Sequence, residues 1–275
     1  MRIVIKFAGA LLEGQESTQS LAAQITALAR QGHELLVIHG GGKIFTAVLK
    51  RMGVESRFVG GLRVTDRDTR DVAIMVFGGL LNKRLASAIS LAGQPAVGIC
   101  AADAACFRAE LVQPSEGCVG LGYVGYLTGV NLKFLNSLWN EALVPVACCL
   151  GMGANGEIYN INADHMAAAA AEYCHADRLI FLTDVEGVLD GREVLCAVDG
   201  AGISDLIRRK VVSGGMVLKL EAAKRALDGG VTQVRIVGGG LKDSLLAAAN
   251  DWNENGTRVL PAMPAPQPVE ASAYR

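Results

Sequence analysis

Three consecutive glycines, Gly40 to Gly42, stand between a strand pattern and a helix pattern. The preceding run, 35–38, is short and wholly apolar, as in a buried parallel strand, and the apolar residues that follow recur at helical spacing. The glycines therefore lie at the N-terminus of a helix, where backbone N–H groups lack partners and the helix dipole is positive. Because glycine has no Cβ, a ligand can approach this main chain closely. The stretch predicts a backbone site for a carboxylate or a phosphate.

Two common phosphate-binding glycine loops do not match this stretch. A dinucleotide fingerprint requires a third glycine where Phe45 stands, and a Walker A loop requires serine or threonine where Ile44 follows Lys43. A tight turn that binds nothing remains an alternative at this point. The choice depends on which other polar residues the fold brings to the same place.

Further polar residues stand at the ends of predicted strands or the starts of predicted helices. Lys6 ends an apolar strand and would emerge at the carboxyl edge of the sheet, where open α/β sheets bind ligands. Arg63 precedes a predicted helix, a good position for a bidentate contact between its guanidinium and a carboxylate. The other segments are 160–164, with two asparagines and Asp164; 184–191, a glycine-bearing loop after a buried strand; and 213–219, with Lys219 one turn into a helix.

Each of these residues also has a purely structural interpretation. Lys6 alone suits an exposed strand end, Arg63 a surface ion pair, and Asp164 an acid that favours a helix N-terminus. His39 and His165 are interpreted as hydrogen-bonded neighbours of the loops rather than as catalysts.

The elements that must position these residues alternate regularly along the chain. Strand-like runs are predicted at 2–7, 35–39, 96–100, 144–150, 178–183 and 232–237, and helices near 19–31, 43–52, 66–91, 131–142, 162–175, 216–228 and 242–249. Such alternation indicates βαβ units and a mainly parallel sheet with helices on both faces. Between 104 and 130 the glycine-rich pattern predicts hairpins that act as a lid, and 261–275 reads as a disordered Pro/Ala-rich tail.

Composition limits the classes of partner. Half of the side chains are hydrophobic (51%) and the formal net charge is −1 with both signs interspersed, so we expect a small-molecule protein without nucleic-acid or membrane partners. The seven cysteines lack CxxC spacing and read as reduced core residues. With no signal-peptide pattern after Met1, we expect the cytoplasm, and the scattered histidines predict no metal site.

Taken together, these motifs resemble the acetylglutamate kinases of the amino acid kinase family, in order from Met1 to about Leu260. The resemblance rests on the lysine after the first strand, the glycine triplet after His39, and the segments 61–65, 122–125, 160–164, 183–191 and 214–219. It implies an α/β fold, a three-layer αβα sandwich with a central, mainly parallel sheet. One domain would span 1–260, with an acceptor lobe at about 1–150 and a nucleotide lobe at about 151–260.

The resemblance also implies a role for each motif. Lys6 and Lys219 would stabilise the transferring phosphoryl group, and Asp164 would orient them. The acylated amino acid would be bound by Gly41, Gly42, Arg63 and Asn160. The nucleotide would be contacted by Gly9, Asp184, Val185, Glu186, Gly187, Val188, Leu189, Val211, Val212 and Ser213. ATP would bring Mg²⁺ with it, and the reaction would phosphorylate the side-chain carboxylate of N-acetyl-L-glutamate in arginine biosynthesis.

The sequence departs from the family pattern in two loops. Ala8 replaces the first of two glycines expected after Lys6, and Ala101 and Ala104 replace the glycines of an expected turn around Asp103. Two alternatives therefore stay open: an acetylaminoadipate-type acceptor, and a catalytically degenerate binding module of the same fold. The chain also shows no N-terminal extension of the kind that arginine-inhibited members carry, so we expect that form of feedback to be missing.

An apolar helical run suggests how two copies associate. The run holds Val72, Ile74, Met75, Val76, Phe77, Leu80 and Leu81, more than one core-facing stripe requires. It predicts a homodimer through this helix, with a fully buried central helix as the alternative.

Overall fold

The computed structural model describes residues 1–113, 120–251 and 255–261, and an eight-stranded sheet forms its centre. The strands in spatial order are β14 (Ala197–Val198), β16 (Thr257–Val259), β15 (Gln233–Gly238), β11 (Arg178–Thr183), β1 (Arg2–Phe7), β2 (Glu34–His39), β8 (Val144–Cys148) and β5 (Ala96–Ile99). Neighbouring strands in this described sheet run parallel except β15 and β16, which are antiparallel. The predicted mainly parallel sheet is confirmed.

Nine α-helices accompany the sheet in the described part of the chain. They are α1 (Gln15–Arg30), α2 (Gly42–Arg51), α3 (Arg67–Ala73), α4 (Asn82–Leu91), α5 (Leu132–Asn140), α6 (Ala163–Tyr173), α7 (Gly200–Arg208), α8 (Gly215–Asp228) and α9 (Ser244–Asn250). A short 3₁₀ turn, Gly9–Leu12, follows β1.

The side chains of β1 alternate between two hydrophobic cores. Ile3, Ile5 and Phe7 pack with buried residues of α1, α4 and α9, whereas Val4 belongs to the core that contains α6 and α8. Since successive residues of a strand point to opposite faces, helices cover both faces of the sheet. The three-layer αβα sandwich is therefore confirmed.

Three smaller sheets accompany the large one in the described part of the chain. One has the order β10 (Ile158–Asn160), β9 (Leu150–Met152), β6 (Phe107–Leu111) and β7 (Gly125–Val130). The others are two-stranded hairpins, β3 (Phe58–Val59) with β4 (Leu62–Arg63) and β12 (Leu189–Asp190) with β13 (Glu193–Val194). The hairpin predicted between 104 and 130 is the pair β6–β7, and its residues 114–119 lie outside the described residues.

The long helix predicted at 66–91 is continuous but irregular. α3 passes into α4 through a π-helical segment, Ile74–Leu81. Val76 and Phe77 are buried, whereas Met75 is 54% exposed. The alternative of a fully buried central helix is therefore wrong. By length and composition alone this helix, Arg67–Leu91, is apolar enough to cross a membrane, but half of its most apolar window is buried in the fold, as in a core helix.

Local signals predicted some helix boundaries and missed others. Gly32 and Gly53 follow the ends of α1 and α2 with φ of +83° and +73°, as expected of residues just past a helix. The sequence also predicts a capping-box-like start at Thr65, with Asp68 three residues on. This prediction is wrong, since Asp66 caps α3 by accepting a hydrogen bond from the Thr69 N–H. The predicted disordered tail lies outside the described residues beyond Pro261.

Candidate active site

A buried carboxylate near the middle of the chain pairs with two lysines. The Asp164 Oδ1 atom lies 2.7 Å from the Lys6 Nζ atom and 2.8 Å from the Lys219 Nζ atom. Each of the three side chains exposes 10% or less of its surface. This triad carries one positive charge in excess, away from bulk water. Such an excess is unfavourable by itself, so the triad is suited to an anion placed beside it.

Burial and charge shift the pKa values within the triad. Burial raises the pKa of the Asp164 carboxyl, but the Lys6 and Lys219 ammoniums oppose it and leave that pKa at about 2. Burial lowers the pKa of Lys219 to about 8, with Lys6 acting in the same direction and Asp164 against it. Near neutral pH the carboxylate is ionised and Lys219 keeps its proton.

Strand alternation and a helix cap place the triad. Lys6 shares the face of β1 that carries Val4, and so it points toward α6 and α8, which carry Asp164 and Lys219. Asn162 caps α6, because its Oδ1 atom accepts hydrogen bonds from the Asp164 and His165 N–H groups. The first turn of α6 is thereby fixed, and with it the carboxylate that both lysines share.

Two glycine loops meet beside Lys6. α2 begins at Gly42, as the sequence predicts, and Gly42 has φ of +48°. A Cβ on Gly9 would lie 2.7 Å from the Gly42 Cα atom, so the two loops touch backbone to backbone. A Cβ on Gly41 would lie 2.1 Å from the Phe77 ring. Glycine is therefore required at these positions by close packing, and the N-termini of α2 and the 3₁₀ turn lie side by side.

Ala8 occupies an ordinary position in this arrangement. Its φ is −68°, and its N–H donates to the Leu182 carbonyl at 2.9 Å, which extends the pairing of β1 with β11. The N–H of Ala8 is therefore already engaged within the sheet. A methyl group at this position is compatible with the backbone, and the departure from the family pattern at Ala8 does not remove a donor from the site.

Arg63 lies between two aromatic rings. Its guanidinium carbon is 4.8 Å from the centre of the Phe45 ring and 4.5 Å from that of Phe58. It donates to the Thr46 Oγ1 atom at 2.8 Å and to the Ser56 hydroxyl, and burial lowers its pKa. Within the described residues Arg63 forms no ion pair, so its interpretation as half of a surface ion pair is wrong. The stacked guanidinium is held in one orientation.

One cavity of about 230 Å³ joins most of the predicted residues. Asn160 reaches it from the end of β10, donating its Nδ2 hydrogen to the Thr65 Oγ1 atom at 3.0 Å. The predicted residues that line this cavity are Lys6, Gly9, Gly41, Gly42, Arg63, Asn160 and Asp164. Lys219 is joined to them through Asp164. Cations and helix N-termini thus surround a space that also has the apolar side chains of Phe45 and Val124.

The predicted nucleotide-contacting stretches do not line this cavity. Asp184 directly follows β11, whose residue Phe181 pairs with Lys6, and Ser213 lies two residues before α8 begins. Val188 is fully buried, and its N–H donates to the Thr257 Oγ1 atom at 2.8 Å. Both stretches therefore adjoin elements next to the triad, in the C-terminal half of the chain. The buried hydrogen bond of Val188 holds its loop in place.

The sequence interpretation missed the aromatic rings around Arg63 and the cap on α6. Phe45 was only the apolar residue that excluded a dinucleotide loop, and Phe58 carried no signal. Asn162 had one, since asparagine two residues before an acid is a common helix start. No group of three or more His, Cys, Asp or Glu side chains among the described residues is placed to hold a metal ion.

Comparisons with known proteins agree with this geometry. The model of the amino acid kinase family matches residues 1–238. A protein named acetylglutamate kinase from Koribacter versatilis is 49% identical over 238 residues, which cover 86% of this chain and 90% of that protein. A second protein of that name, from Solibacter usitatus, is 44% identical over 249 residues, covering 89% and 94%.

The fold is similar to that of solved structures as well. The crystal structure of smu.665 from Streptococcus mutans UA159 matches with a TM-score of 0.79 and 27% identity, covering 94% of this chain and 98% of that one. The relatives and the solved structure match over most of the chain, and the residues matched by the family model include the triad and both glycine loops. The chain belongs to the amino acid kinase family.

Proposed function

We propose that this protein is an acetylglutamate kinase, which transfers the γ-phosphoryl group of ATP to the side-chain carboxylate of N-acetyl-L-glutamate in arginine biosynthesis. The observation that carries the proposal is the buried Lys6–Asp164–Lys219 triad beside two abutting glycine loops, with Arg63 on the same cavity. Relatives of that name at 49% and 44% identity support the choice of acceptor.

The chemistry requires little beyond charge and position. A carboxylate that attacks a phosphate brings two anions together, so catalysis depends on cations and N–H groups that face the oxygens of the transferring group. We assign that role to Lys6 and Lys219, and to Asp164 the role of holding both ammoniums at one point. No general base is needed, because the attacking carboxylate is ionised near neutral pH.

The acceptor is assigned to the N-terminal half of the cavity. Arg63 would bind the α-carboxylate of the acylated amino acid through its two-pronged guanidinium. The N–H groups of Gly41 and Gly42 and the amide of Asn160 would bind the remaining oxygens. The apolar walls next to Arg63 suit the acyl methyl group. This division corresponds to an acceptor lobe at about 1–150 and a nucleotide lobe at about 151–260.

The nucleotide is assigned to the loops on the other side of the triad. Gly9, the loop 184–189 and the segment 211–213 would contact ATP. The excess positive charge of the triad and the N-terminus at Gly9 fit a triphosphate. Asp164 is paired with two lysines, and among the described residues it lies in no carboxylate cluster. Mg²⁺ would accordingly be held by the phosphates and water, as it usually is. We propose that the reaction takes place in the cytoplasm.

We further propose that the protein is a homodimer through the long helix that contains α3 and α4. Ile74, Met75 and Leu80 are 36%, 54% and 37% exposed, and all lie in the π-helical segment. Exposed apolar side chains grouped on one helical segment are typical of a subunit interface.

A coupled ADP-release assay with trapping of the acyl phosphate as a hydroxamate tests the function. N-acetyl-L-glutamate should give ADP and hydroxamate in equal amounts, and N-acetyl-L-aminoadipate should be the poorer substrate, since one methylene changes pocket binding by about 1–3 kcal/mol. A preference for the longer acceptor would change the substrate assignment. ATP binding without ADP release for any acceptor would refute the kinase activity and favour a binding module.

A further inference from the structure

Two buried polar side chains lie directly behind the glycine triplet. His39 is the last residue of β2 and precedes Gly40, and Asn82 is the first residue of α4. Both are fully buried, and the Asn82 Nδ2 atom lies 3.3 Å from the His39 Nε2 atom. Neither residue lines the cavity, and the proposed chemistry uses neither. Buried polar groups are unfavourable unless they form hydrogen bonds, so this pair requires an explanation.

The surroundings of Asn82 determine which way its carboxamide points. Its Nδ2 atom lies 2.8 Å from the Val146 carbonyl oxygen and 3.4 Å from that of Ile99, in addition to the His39 ring. The Oδ1 atom has no hydrogen-bond partner and lies where a Cβ on Gly98 would be, at 1.9 Å. The reverse orientation would set a carbonyl oxygen against two others. The NH₂ group has two hydrogens for these three acceptors, and the Ile99 carbonyl is the most distant of them. We therefore assign the hydrogens to the Val146 carbonyl and the His39 Nε2 atom.

This hydrogen bond determines the tautomer of His39. Because Nε2 accepts a hydrogen bond, it carries no proton, and the proton of the neutral ring is on Nδ1. The Nδ1 atom lies 3.2 Å from the carbonyl oxygen of Gly40 and donates to it. Burial lowers the pKa of His39 to about 4, so the ring stays neutral near pH 7. The chain of hydrogen bonds runs from Asn82 through the ring to the first glycine of the triplet.

The Gly40 carbonyl in turn determines where the Gly41 N–H points. The peptide bond between them is trans and planar, so its C=O and N–H groups point in opposite directions. With the carbonyl oxygen turned toward the buried ring, the N–H is turned away from it. Gly40, Gly41 and Gly42 line the cavity, whereas His39 does not, and we infer that the N–H faces the cavity. A rotated peptide would instead present a carbonyl oxygen to the bound anion. Glycines on both sides of this bond make such a rotation easy, since neither has a Cβ to oppose it.

We propose that Asn82 and His39 are positioning residues, which hold the Gly40–Gly41 peptide with its N–H facing the anion in the cavity. The inference rests on the proposed function, because the anion is the acceptor carboxylate or the phosphoryl group it receives. The long helix thereby acts on the glycine triplet at two places. Its Phe77 packs on Gly41, and its Asn82 sets the peptide before Gly41.

The tautomer of His39 is the direct test. Long-range ¹H–¹⁵N spectra of histidine-labelled wild-type protein at pH 7 distinguish a ring protonated at Nδ1 from one protonated at Nε2, and the His39→Asn variant identifies the resonance. We expect His39 to be protonated at Nδ1, the less common form of free neutral histidine. A ring protonated at Nε2, or at both nitrogens, would overturn the proposal without any reference to activity.

Kinetics of matched variants test the consequence. Asn82→Leu removes the donor, and Gly98→Ala displaces the carboxamide of Asn82 while keeping every hydrogen-bonding group. Leu85→Ala is the control, because Leu85 is equally buried one turn along α4 and packs among apolar side chains, with no side-chain hydrogen bond to lose. We expect both test variants to lower kcat/KM for N-acetyl-L-glutamate about tenfold to hundredfold, with the KM for ATP within about twofold of the wild-type value. His39→Asn, whose amide nitrogen lies near the place of Nδ1, should recover most of the activity that His39→Leu loses.

The outcomes separate this inference from the proposed function. Losses no greater than that of Leu85→Ala, or equal losses for both substrates, would overturn the positioning role even in an active enzyme. If the wild type bound N-acetyl-L-glutamate without turnover, the kinase function would fail. Calorimetric titration of N-acetyl-L-glutamate into the same variants would then decide the inference, through weaker binding in Asn82→Leu and Gly98→Ala than in Leu85→Ala. Should Asn82→Leu not fold, Gly98→Ala and the wild-type spectra carry the test.

Discussion

Replacement of Asp164 by asparagine tests whether Lys6 and Lys219 form an anion site. In the absence of a ligand, the Asp164 carboxylate occupies that site. Lys6 and Lys219 both contact the Asp164 Oδ1 atom, at 2.7 and 2.8 Å. Asp164→Asn keeps the size of the side chain and removes its charge. The two buried ammoniums then face each other without a counter-ion until a ligand supplies one.

The structure gives the magnitude of the resulting repulsion. The separation of the two Nζ atoms cannot exceed the sum of their distances to the shared oxygen, about 5.5 Å. At that separation two unit charges repel by about 3 kcal/mol with an effective dielectric constant of 20. Removing one partner of a buried ion pair typically lowers stability by about 3–5 kcal/mol. We expect the free energy of unfolding to fall by that amount near pH 7.

Urea unfolding with and without ligand measures this effect. ATP should stabilise Asp164→Asn more than it stabilises the wild type, because phosphate oxygens replace the lost carboxylate between Lys6 and Lys219. The difference in unfolding free energy between the wild type and Asp164→Asn should shrink as pH rises, because Lys219 loses its proton more readily when the carboxylate is missing. The wild type should lose the contribution of Asp164 as pH falls from the unfolded pKa of 3.8 toward about 2, since the folded pKa lies below the unfolded one. A variant as stable as wild type at pH 7, or with an unchanged response to ATP, would refute the reasoning.

Five further substitutions probe other parts of the site and fold. Lys219→Ala should lower kcat by on the order of 10² to 10³ with little change in KM, and wild-type kcat/KM should decline above pH about 8 as this lysine loses its proton; a flat profile to pH 10 would contradict the assignment. Arg63→Lys should weaken acceptor binding about tenfold to hundredfold in a direct titration, because an ammonium cannot reproduce a two-pronged contact. Ala104→Gly should raise the free energy of unfolding by up to about 1 kcal/mol, because Ala104 has φ of +52°. Ala8→Gly should lower it by about 0.5–1 kcal/mol and leave turnover unchanged, because Ala8 has an ordinary φ of −68°. Urea unfolding measures both changes. Met75→Glu should convert a dimer to a monomer in sedimentation experiments, and a monomeric wild type at micromolar concentration would remove the predicted interface.

The main sheet was predictable because its strands are buried on both faces. Runs such as 35–39 and 178–183 are nearly continuous apolar segments bounded by glycine or polar residues, and each forms a strand of the sheet. Strands β14 and β16 are two and three residues long and carry no comparable signal. Helix α7 was missed for another reason. Gly200 and Gly202 lower its intrinsic helix propensity, and the helix is instead started by the cap that Asp199 provides.

The members of the site were predictable, but their contacts were not. Lysine at the end of a strand and an acid at a helix start are signals of position, and both residues lie where those signals predict. That Lys6 and Lys219 share one oxygen of Asp164 depends on which faces of β1, α6 and α8 meet, and this is decided by packing across more than 150 residues of chain. The stacking of Arg63 on two rings likewise depends on how the hairpin of β3 and β4, each two residues long, lies on α2.

Ala8 and Ala104, two of the three alanines at family glycine positions, show why a motif has to be interpreted through the backbone. By pattern alone, Ala8 and Ala104 are the same kind of departure. In the structure Ala8 extends a strand with an ordinary φ and an engaged N–H, so its methyl group requires no unusual backbone conformation. The glycine that the site needs is the next one, because a Cβ on Gly9 would strike the backbone of Gly42. Ala8 therefore no longer favours a degenerate kinase, and Lys6 and Lys219 share Asp164 while the two glycine loops touch.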